Sequence, residues 1–156
     1  MTVYCETRVV PAPADLLFGL VADVERYPEF LPMWKWARIR RWDGPSTYYT
    51  AQNVGFGPIH ERFETKTVLA YPASIVVTSP DRLFREFYIR WNFADVPGGC
   101  QTGIELKWQA RSFVLQKGIE IILPKTAKMM VDAFERRARD VISRGDRPPS
   151  SRPPQS

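Results

Sequence analysis

Residues that bind metals or carry redox chemistry are scarce in this sequence. It contains two cysteines, Cys5 and Cys100, and one histidine, His60. Neither cysteine has a second cysteine or a histidine at metal-ligand spacing, so we expect no metal site. His60 is predicted to lie on the polar face of a strand, opposite Phe63 and Thr65, where a solvated histidine is the ordinary outcome. Metal, thiol or imidazole chemistry is therefore not indicated.

Long apolar segments and nucleotide-binding loops are missing as well. The most apolar stretch, around 119–123, is far shorter than the ~20 residues that cross a bilayer. No basic segment followed by an apolar run opens the chain, which predicts a cytoplasmic protein, peripheral to the inner membrane. The segment Gly55-Phe56-Gly57 lacks the third glycine of a dinucleotide loop and is interpreted as part of a turn. No catalytic residue and no contact with DNA are predicted.

Aromatic side chains and positive charge are abundant by contrast. Aromatic residues make up 13% of the chain, with five Trp, six Tyr and nine Phe. Such side chains commonly line pockets for apolar ligands, although ordinary core packing explains many of them. The formal net charge of +5 makes phospholipid headgroups or RNA plausible anionic partners.

The hydrophobic period changes twice along the chain. Residues 3–10 alternate as a strand, residues 16–24 have helical spacing and end before Tyr27-Pro28, and residues 37–109 have the alternation and turns of a sheet. Asp43-Gly44-Pro45 and Pro97-Gly98-Gly99 are interpreted as hairpin turns, and the segment 55–58 as a wider turn or bulge. Helical spacing returns after Ser112, with Pro124 expected to kink or divide the helix.

These elements predict an α+β fold, in which a curved antiparallel sheet of about six to seven strands surrounds a long C-terminal helix, with two short helices after the first strand. The predicted domain covers residues 1–144. Residues 145–156 form a Pro/Ser/Arg tail that we expect to be disordered.

A ligand cavity is expected between the dry face of the sheet and the long helix. Its predicted lining is Phe63, Trp91, Phe93, Leu106, Trp108, Met130 and Phe134. Period two also places Glu61 on this inner face, where it could pair with an arginine, contact the polar head of a ligand, or lie near the strand end in water. The corner after the first helices is interpreted either as a plug of the core or as the cavity mouth, formed by Tyr27, Pro28, Phe30, Leu31 and Trp34.

The segment Val21-Ala22-Asp23-Val24-Glu25-Arg26-Tyr27-Pro28-Glu29-Phe30-Leu31-Pro32 resembles the hallmark of the coenzyme Q-binding START-like proteins, a family that includes the ribosome association toxin A proteins. Val54-Gly55-Phe56, Glu61-Arg62-Phe63, Trp91-Asn92-Phe93 and Met130-Val131-Asp132-Ala133-Phe134-Glu135 follow in the family's order. The resemblance implies a helix-grip (START/Bet v 1-like) fold and the binding of ubiquinone or a related polyprenyl lipid. It implies support of respiration by delivering the quinone, with no cofactor besides this bound ligand.

Three functional hypotheses remain open at this point. The first is a non-catalytic lipid carrier. The second is a ribosome-directed inhibitor that uses the basic residues Arg38, Arg40, Arg41, Lys125 and Lys128. Regular alternation would place Arg38 and Arg40 on one strand face and Arg41 on the other, which weakens a single RNA patch. The third is a polyketide cyclase or aromatase, for which Glu61 is the nearby acid–base candidate.

A carrier of a bilayer lipid needs access to the membrane. The predicted gate lies where the corner of residues 27–34 approaches the long helix near Pro124. Ile121, Ile122 and Leu123 stand beside Lys117, Lys125 and Lys128, an arrangement suited to shallow insertion with Lys125 and Lys128 as the membrane contacts. In the alternative interpretation these apolar residues only pack on the sheet.

Overall fold

The computed structural model describes residues 2–56 and 59–145. The elements, in chain order, are β1 (Thr2–Val10), α1 (Ala14–Ala22), a 3₁₀ helix (Val24–Glu29), β2 (Trp34–Trp42), β3 (Thr47–Phe56), β4 (Ile59–Ala70), β5 (Ser74–Thr78), β6 (Phe84–Val96), β7 (Gly99–Ala110) and α2 (Phe113–Ser143).

The seven strands form one antiparallel sheet in the order β1-β7-β6-β5-β4-β3-β2. Helix α2 packs against β1, β7 and α1. The curved sheet and long C-terminal helix confirm the predicted helix-grip fold, and α1 with the 3₁₀ helix supplies the two short helices expected after the first strand.

Strict alternation gives the sheet a dry inner face. In β6, Phe87, Ile89 and Trp91 are buried, whereas Arg90 and Asn92 between and beside them are exposed. The apolar side chains cover the side of the sheet that faces the helices, because burying one face stabilises a sheet that leaves the other in water. This arrangement confirms the alternation that the sequence indicates.

Two predicted hairpin turns are present. Gly44 has a φ of +75° between β2 and β3, and Gly98 has a φ of +90° between β6 and β7. Glycine is favoured at positions 44 and 98 by the positive φ angle. At position 99 glycine is also required by space, because a Cβ atom there would lie 2.0 Å from the carbonyl oxygen of Val10. Gly57 and Pro58, from the predicted turn over 55–58, lie outside the described residues, as do residues 146–156 of the predicted tail.

The first helix ends before Tyr27-Pro28, as predicted. Its α-helical turns stop at Ala22, and the chain continues as a 3₁₀ helix that contains Tyr27 and Pro28. The residue before a proline disfavours the α-helical region, and tight 3₁₀ turns commonly follow the end of an α-helix. The result is a rigid corner that leads directly into β2.

Helix α2 is one continuous element. The hydroxyl of Ser112 accepts a hydrogen bond from the Leu115 amide at 3.2 Å and caps its first turn. The helix continues through Pro124, so the alternative in which this proline divides it is wrong. Pro124 lies on the exposed side of the helix, and because it has no N–H, the hydrogen bond to the carbonyl oxygen of Glu120 is absent there. No helix in the described part of the chain combines the length and apolar character needed to cross a bilayer.

Candidate functional site

An inner cavity lies between the centre of the sheet, the corner and α2. Its volume, counted as space for the centres of water molecules, is about 40 Å³, compared with about 150 Å³ for an engineered apolar cavity that holds one benzene molecule. The lining side chains are uncharged: Val21, Val24, Tyr27, Trp34, Tyr48, Gln52, Val54, Phe63, Thr65, Thr67, Ile75, Val77, Phe87, Ile89, Trp91, Trp108 and Met130. Such a wall suits an uncharged ligand with a large apolar surface.

Four of the seven predicted lining residues form part of this wall, namely Phe63, Trp91, Trp108 and Met130. Phe93, Leu106 and Phe134 are buried in the surrounding core. Phe93 stacks on Trp91, with ring centroids 6.1 Å apart, and Phe134 meets the edge of Trp91 at 5.3 Å. These ring contacts hold Trp91 in its position in the cavity wall.

A ladder of polar side chains crosses the inner faces of β2, β3 and β4. The indole N–H of Trp34 donates to Oε1 of Gln52 at 2.8 Å. The Gln52 amide donates in turn to the hydroxyls of Thr50 and Thr65, at 3.0 and 3.2 Å, and the two hydroxyls are bonded to each other. Burial makes unpaired polar groups costly, so this connected set fixes the orientation of each member.

Two tyrosines, the buried Tyr48 and the half-buried Tyr27, fasten the corner to the same wall. Tyr48 donates its phenol hydrogen to the carbonyl oxygen of Ala22 at 2.8 Å, and Tyr27 donates to that of Val21. Burial raises the pKa of both phenols above the ordinary range. Both side chains are therefore neutral hydrogen-bond donors at physiological pH.

A second, outer groove adjoins the inner cavity at the first half of α2. It is lined by Glu61, Phe63, Leu83, Phe84, Trp108, Leu115, Gly118, Ile119, Ile122 and Leu123. Phe63 and Trp108 belong to both walls, so these two rings separate the compartments. Glu61 is half-buried at the rim, and within the described residues no ion pair joins it to an arginine.

The corner closes the far end of the cavity. Leu31 is fully buried, Trp34 is buried, Phe30 is half-buried and Pro28 is exposed. The rings of Tyr27 and Phe30 meet that of Phe134 at 5.4 and 5.1 Å.

The corner thus meets α2 at Phe134 and not at Pro124, near which the gate was predicted. Ten residues separate Phe134 from Pro124, or about 15 Å along a helix. Local periodicity could not show which turn of α2 the corner meets. The groove that opens beside α2 lies at Leu115–Leu123 instead.

The exposed side of the same half-helix carries an apolar and basic stripe. Phe113 is 74% exposed, and Val114 and Ile121 are each 79% exposed. At 100° per residue they share about one third of the helix circumference with three exposed lysines, which are Lys117, Lys125 and Lys128. Ile122 lines the outer groove and Leu123 is buried, so only Ile121 of the predicted apolar trio is exposed to solvent.

Arg38, Arg41 and Arg62 share the outer face of the sheet. A bulge in β2 lies between Ile39 and Arg41, so that Arg38 pairs with Ala51 and Arg41 with Tyr49. Paired residues lie on the same face, and so do residues two apart in one strand. Arg38 and Arg41 are therefore together, and the predicted separation of Arg41 is wrong because the bulge adds Arg40 to the strand.

Aromatic rings accompany these arginines. The guanidinium of Arg41 lies 4.0 Å from the ring centroid of Tyr49, and that of Arg62 lies 5.6 Å from the ring of Trp36. The outer face thus combines exposed cations with flat π surfaces, a combination that also occurs in RNA-binding surfaces.

The sequence interpretation missed the polar ladder. A signal was available, because Tyr48, Thr50 and Gln52 repeat at period two, as do Phe63 and Thr65. Threonine and glutamine on an inner face would have indicated a polar feature within the cavity.

Comparison with known proteins gives one family match. Residues 10–135 match the family described as polyketide cyclase / dehydrase and lipid transport. The ribosome association toxin RatA of Pseudomonas aeruginosa is 31% identical over 136 residues, which cover 86% of this chain and 94% of that protein. The mitochondrial coenzyme Q-binding protein coq10 of Schizosaccharomyces pombe is 24% identical over 142 residues, covering 87% of this chain and 86% of that protein.

The fold is also similar to solved structures. A START superfamily protein from Mycobacterium smegmatis has a TM-score of 0.73 and 20% identity, covering 89% of this chain and 98% of that one. At this identity the likeness concerns the fold alone. Together, the family match and these relatives confirm the resemblance drawn from the sequence motifs.

Proposed function

This chain belongs to the polyketide cyclase / dehydrase and lipid transport family, and we propose that it is a non-catalytic carrier of an apolar lipid, with ubiquinone or another polyprenyl quinone as its ligand. The observation that carries the proposal is the uncharged, aromatic-rich inner cavity that joins an apolar groove at Phe63 and Trp108. A quinone is uncharged, has a flat ring and carries a long apolar tail. In this role the protein supports respiratory electron transport.

Binding has to enlarge the cavity. A cavity of about 40 Å³ is well below the roughly 150 Å³ of a cavity that holds one benzene molecule, and a substituted quinone ring is larger than benzene. The walls that can separate at small cost are those of the outer groove, where the first half of α2 lies over Phe63, Phe84 and Trp108. The ligand therefore enters between this half-helix and the sheet.

The apolar and basic stripe of α2 supplies a membrane-docking surface for this exchange. Its three apolar side chains can enter the headgroup region of a bilayer while Lys117, Lys125 and Lys128 meet anionic phosphates. Because the outer groove begins on the same half-helix, docking brings the groove to the membrane surface. Contact is peripheral and transient.

The direct test is binding of ubiquinone to the purified chain. Trp34, Trp91 and Trp108 line the inner cavity, so a bound quinone, which quenches indole fluorescence at short range, should reduce the emission in a saturable way. Mass spectrometry of lipid extracted from the protein should show a polyprenyl quinone. Absence of both the quenching and the quinone peak would overturn the proposal.

The outer face favours a second candidate, association with the ribosome. Arg38, Arg41 and Arg62 form a basic and aromatic surface there, and a relative with 31% identity is named a ribosome association toxin. Cosedimentation with ribosomal subunits tests this function. Binding should weaken with salt and should be lost in the triple Arg→Glu variant, since contacts to phosphates release counterions.

A further inference from the structure

We propose that the ladder of Gln52, Thr50 and Thr65 is the recognition site for a carbonyl oxygen on the polar head of the ligand. The ligand would bind with its head in the inner cavity and its tail in the outer groove. This inference rests on the proposed lipid-carrier function and specifies which end of the lipid enters first.

The ladder contains one hydroxyl hydrogen that no bond within the ladder uses, so it can donate a hydrogen bond to an acceptor on a ligand. The two hydrogens of the Gln52 amide are both used, one on each threonine hydroxyl. Thr50 and Thr65 have one hydroxyl hydrogen each, and the bond between their oxygens uses only one of them. When Thr50 donates to Thr65, the hydroxyl hydrogen of Thr65, which is part of the cavity wall, is free for a carbonyl oxygen that enters the cavity.

The surrounding contacts fix the ladder in this donating arrangement. Trp34 is a donor only, so its bond to Gln52 requires the amide oxygen to point toward the indole and the NH₂ group toward the threonines. Both threonine oxygens thereby receive a hydrogen bond from the amide. The ladder as a whole therefore presents a hydroxyl donor to an acceptor from outside.

The inner cavity is more polar than the outer groove, as a ligand with its head in the cavity and its tail in the groove requires. Gln52, Thr65 and Thr67 lie in the wall of the inner cavity. Apart from Glu61 at its rim, the outer groove is walled by apolar and glycine residues. A carbonyl-bearing ring is therefore matched by the inner wall, and a prenyl chain by the outer one, with Phe63 and Trp108 at the junction. The head contact is then at Thr65 in the wall of the inner cavity, whereas Glu61 lines the outer groove.

The test compares two ligands on one pair of isosteric variants. The ligands are a short-chain ubiquinone and the corresponding prenylated benzene without oxygen. Thr65→Val removes the hydroxyl and keeps the shape, and Thr102→Val is the matched control, because Thr102 is a buried threonine of β7 bonded to Cys100. Affinities are measured by fluorescence quenching or calorimetry, and folding of each variant by a melting curve.

We expect Thr65→Val to weaken ubiquinone binding about tenfold, the usual effect of losing one hydrogen bond, and to leave the hydrocarbon's affinity unchanged. Thr102→Val should alter neither affinity. Equal losses for both ligands, or no loss for ubiquinone, would overturn the inference while the carrier function stands. If the wild-type chain binds no ubiquinone at all, the proposed function fails and the inference fails with it.

An infrared measurement gives a result that does not depend on a variant folding. Ubiquinone labelled with ¹³C at a carbonyl carbon, bound to the wild-type chain, should show that carbonyl stretch shifted to lower frequency relative to an apolar solvent. A carbonyl stretch at the apolar-solvent frequency for both carbonyl groups would contradict the hydrogen bond from the ladder.

Discussion

The two halves of α2 are held to the rest of the molecule in different ways. In the second half, Phe134 is buried among aromatic rings, and Asp132 and Glu135 bind the guanidinium of Arg8 at 2.7 and 3.4 Å. Arg137 binds Glu29 of the corner at 2.7 Å. The first half buries Leu115, Ile119 and Leu123 over the outer groove, and its opposite side carries exposed apolar residues.

Because of this difference, we expect the second half to act as an anchor and the first half to act as a movable cover over the outer groove. Aromatic packing and ion pairs anchor the second half to the corner and to β1. The first half covers a groove that is not tightly filled. Gln116 ties it to the sheet by accepting from the Ala110 amide at 2.7 Å and donating to the Thr2 hydroxyl at 3.1 Å, but among the described residues no ion pair joins this half to the sheet. We therefore expect the molecule to open from the Phe113 end, with the Phe134 region fixed.

The largest expected effect is that of removing the aromatic anchor. Phe134→Ala should lower the free energy of unfolding by about 3 to 5 kcal/mol, because Phe134 is 2% exposed and contacts several rings. Phe113→Ala makes the same chemical change on the exposed half and should stay within about 0.5 kcal/mol of the wild type. Denaturant unfolding measures both. Similar losses for the two variants would remove the distinction between the halves.

Charge reversal on the first half should weaken membrane binding. Replacing Lys125 and Lys128 with Glu should cost about 1 kcal/mol of binding free energy to anionic liposomes for each lysine at low salt, without changing the affinity for detergent-solubilised quinone. The control is the same double reversal at Arg136 and Arg139, on the anchored half. Liposome flotation at two salt concentrations measures the effect. Equal loss in both double variants would mean that net charge, and not this surface, determines binding.

The ion pairs of Arg8 should make a smaller contribution. Burial opposes the charge of Arg8, but hydrogen bonds to Glu6 and Asp132 raise its pKa, so the guanidinium remains charged. Arg8→Met should destabilise the protein by about 1 to 2 kcal/mol, since Glu6 and Asp132 lose their partner, whereas Glu135 keeps its pair with Arg139. The matched change Lys117→Met removes one exposed pair with Glu120 and should cost at most about 0.5 kcal/mol. Thermal unfolding distinguishes the two, and a larger effect for Lys117 would contradict the assignment of the anchor.

The smallest effect concerns Asp23, beside the anchored corner. Burial raises the pKa of this carboxyl, although Arg26 at 3.3 Å favours its charged form. A pKa that is higher in the folded state stabilises the protein below the unfolded-state pKa of about 4, and this contribution is lost as the pH rises through the folded-state pKa.

Asp23→Asn should therefore raise Tm at neutral pH by about 1 to 2 °C, a small shift because the side chain is half-exposed and screened by solvent. The difference from wild type should disappear near pH 3. Asp43→Asn, at an exposed turn, serves as the control. A lower Tm for Asp23→Asn at neutral pH would show that the pair with Arg26 outweighs burial.

Local patterns in the sequence were sufficient to predict the sheet, the long helix and the buried side chains of β6 and β7. Their period depends on neighbours two, three or four positions away, which the sequence displays directly. The bulge at Arg40 was not predictable in this way. One added residue in a strand with mixed polar and apolar positions leaves no distinct local pattern, yet it reverses the face of Arg41.

Contacts between distant segments explain the remaining differences. The sequence predicted that the corner meets α2 near Pro124, but the corner packs on Phe134. The meeting point depends on how α2 lies across the whole sheet. The wall of the inner cavity likewise combines residues of α1, the 3₁₀ helix, six strands and α2. The two-residue alternation of a strand shows which residues face inward. Which of them border empty space depends on packing that no single segment determines.

Because α2 is uninterrupted at Pro124, it can act as a lever whose pivot is near Phe134. Leu123 is then about 16 Å from the pivot and Phe113 about 32 Å, at a rise of 1.5 Å per residue. A tilt of about 10° would displace Leu123 by about 3 Å and Phe113 by about 5 Å along arcs of those radii. Displacements of this size approach or exceed the 3.5 Å thickness of an aromatic ring in van der Waals contact. A rotation this small, with no unfolding of the helix, would therefore make a slot wide enough for a flat ring to pass.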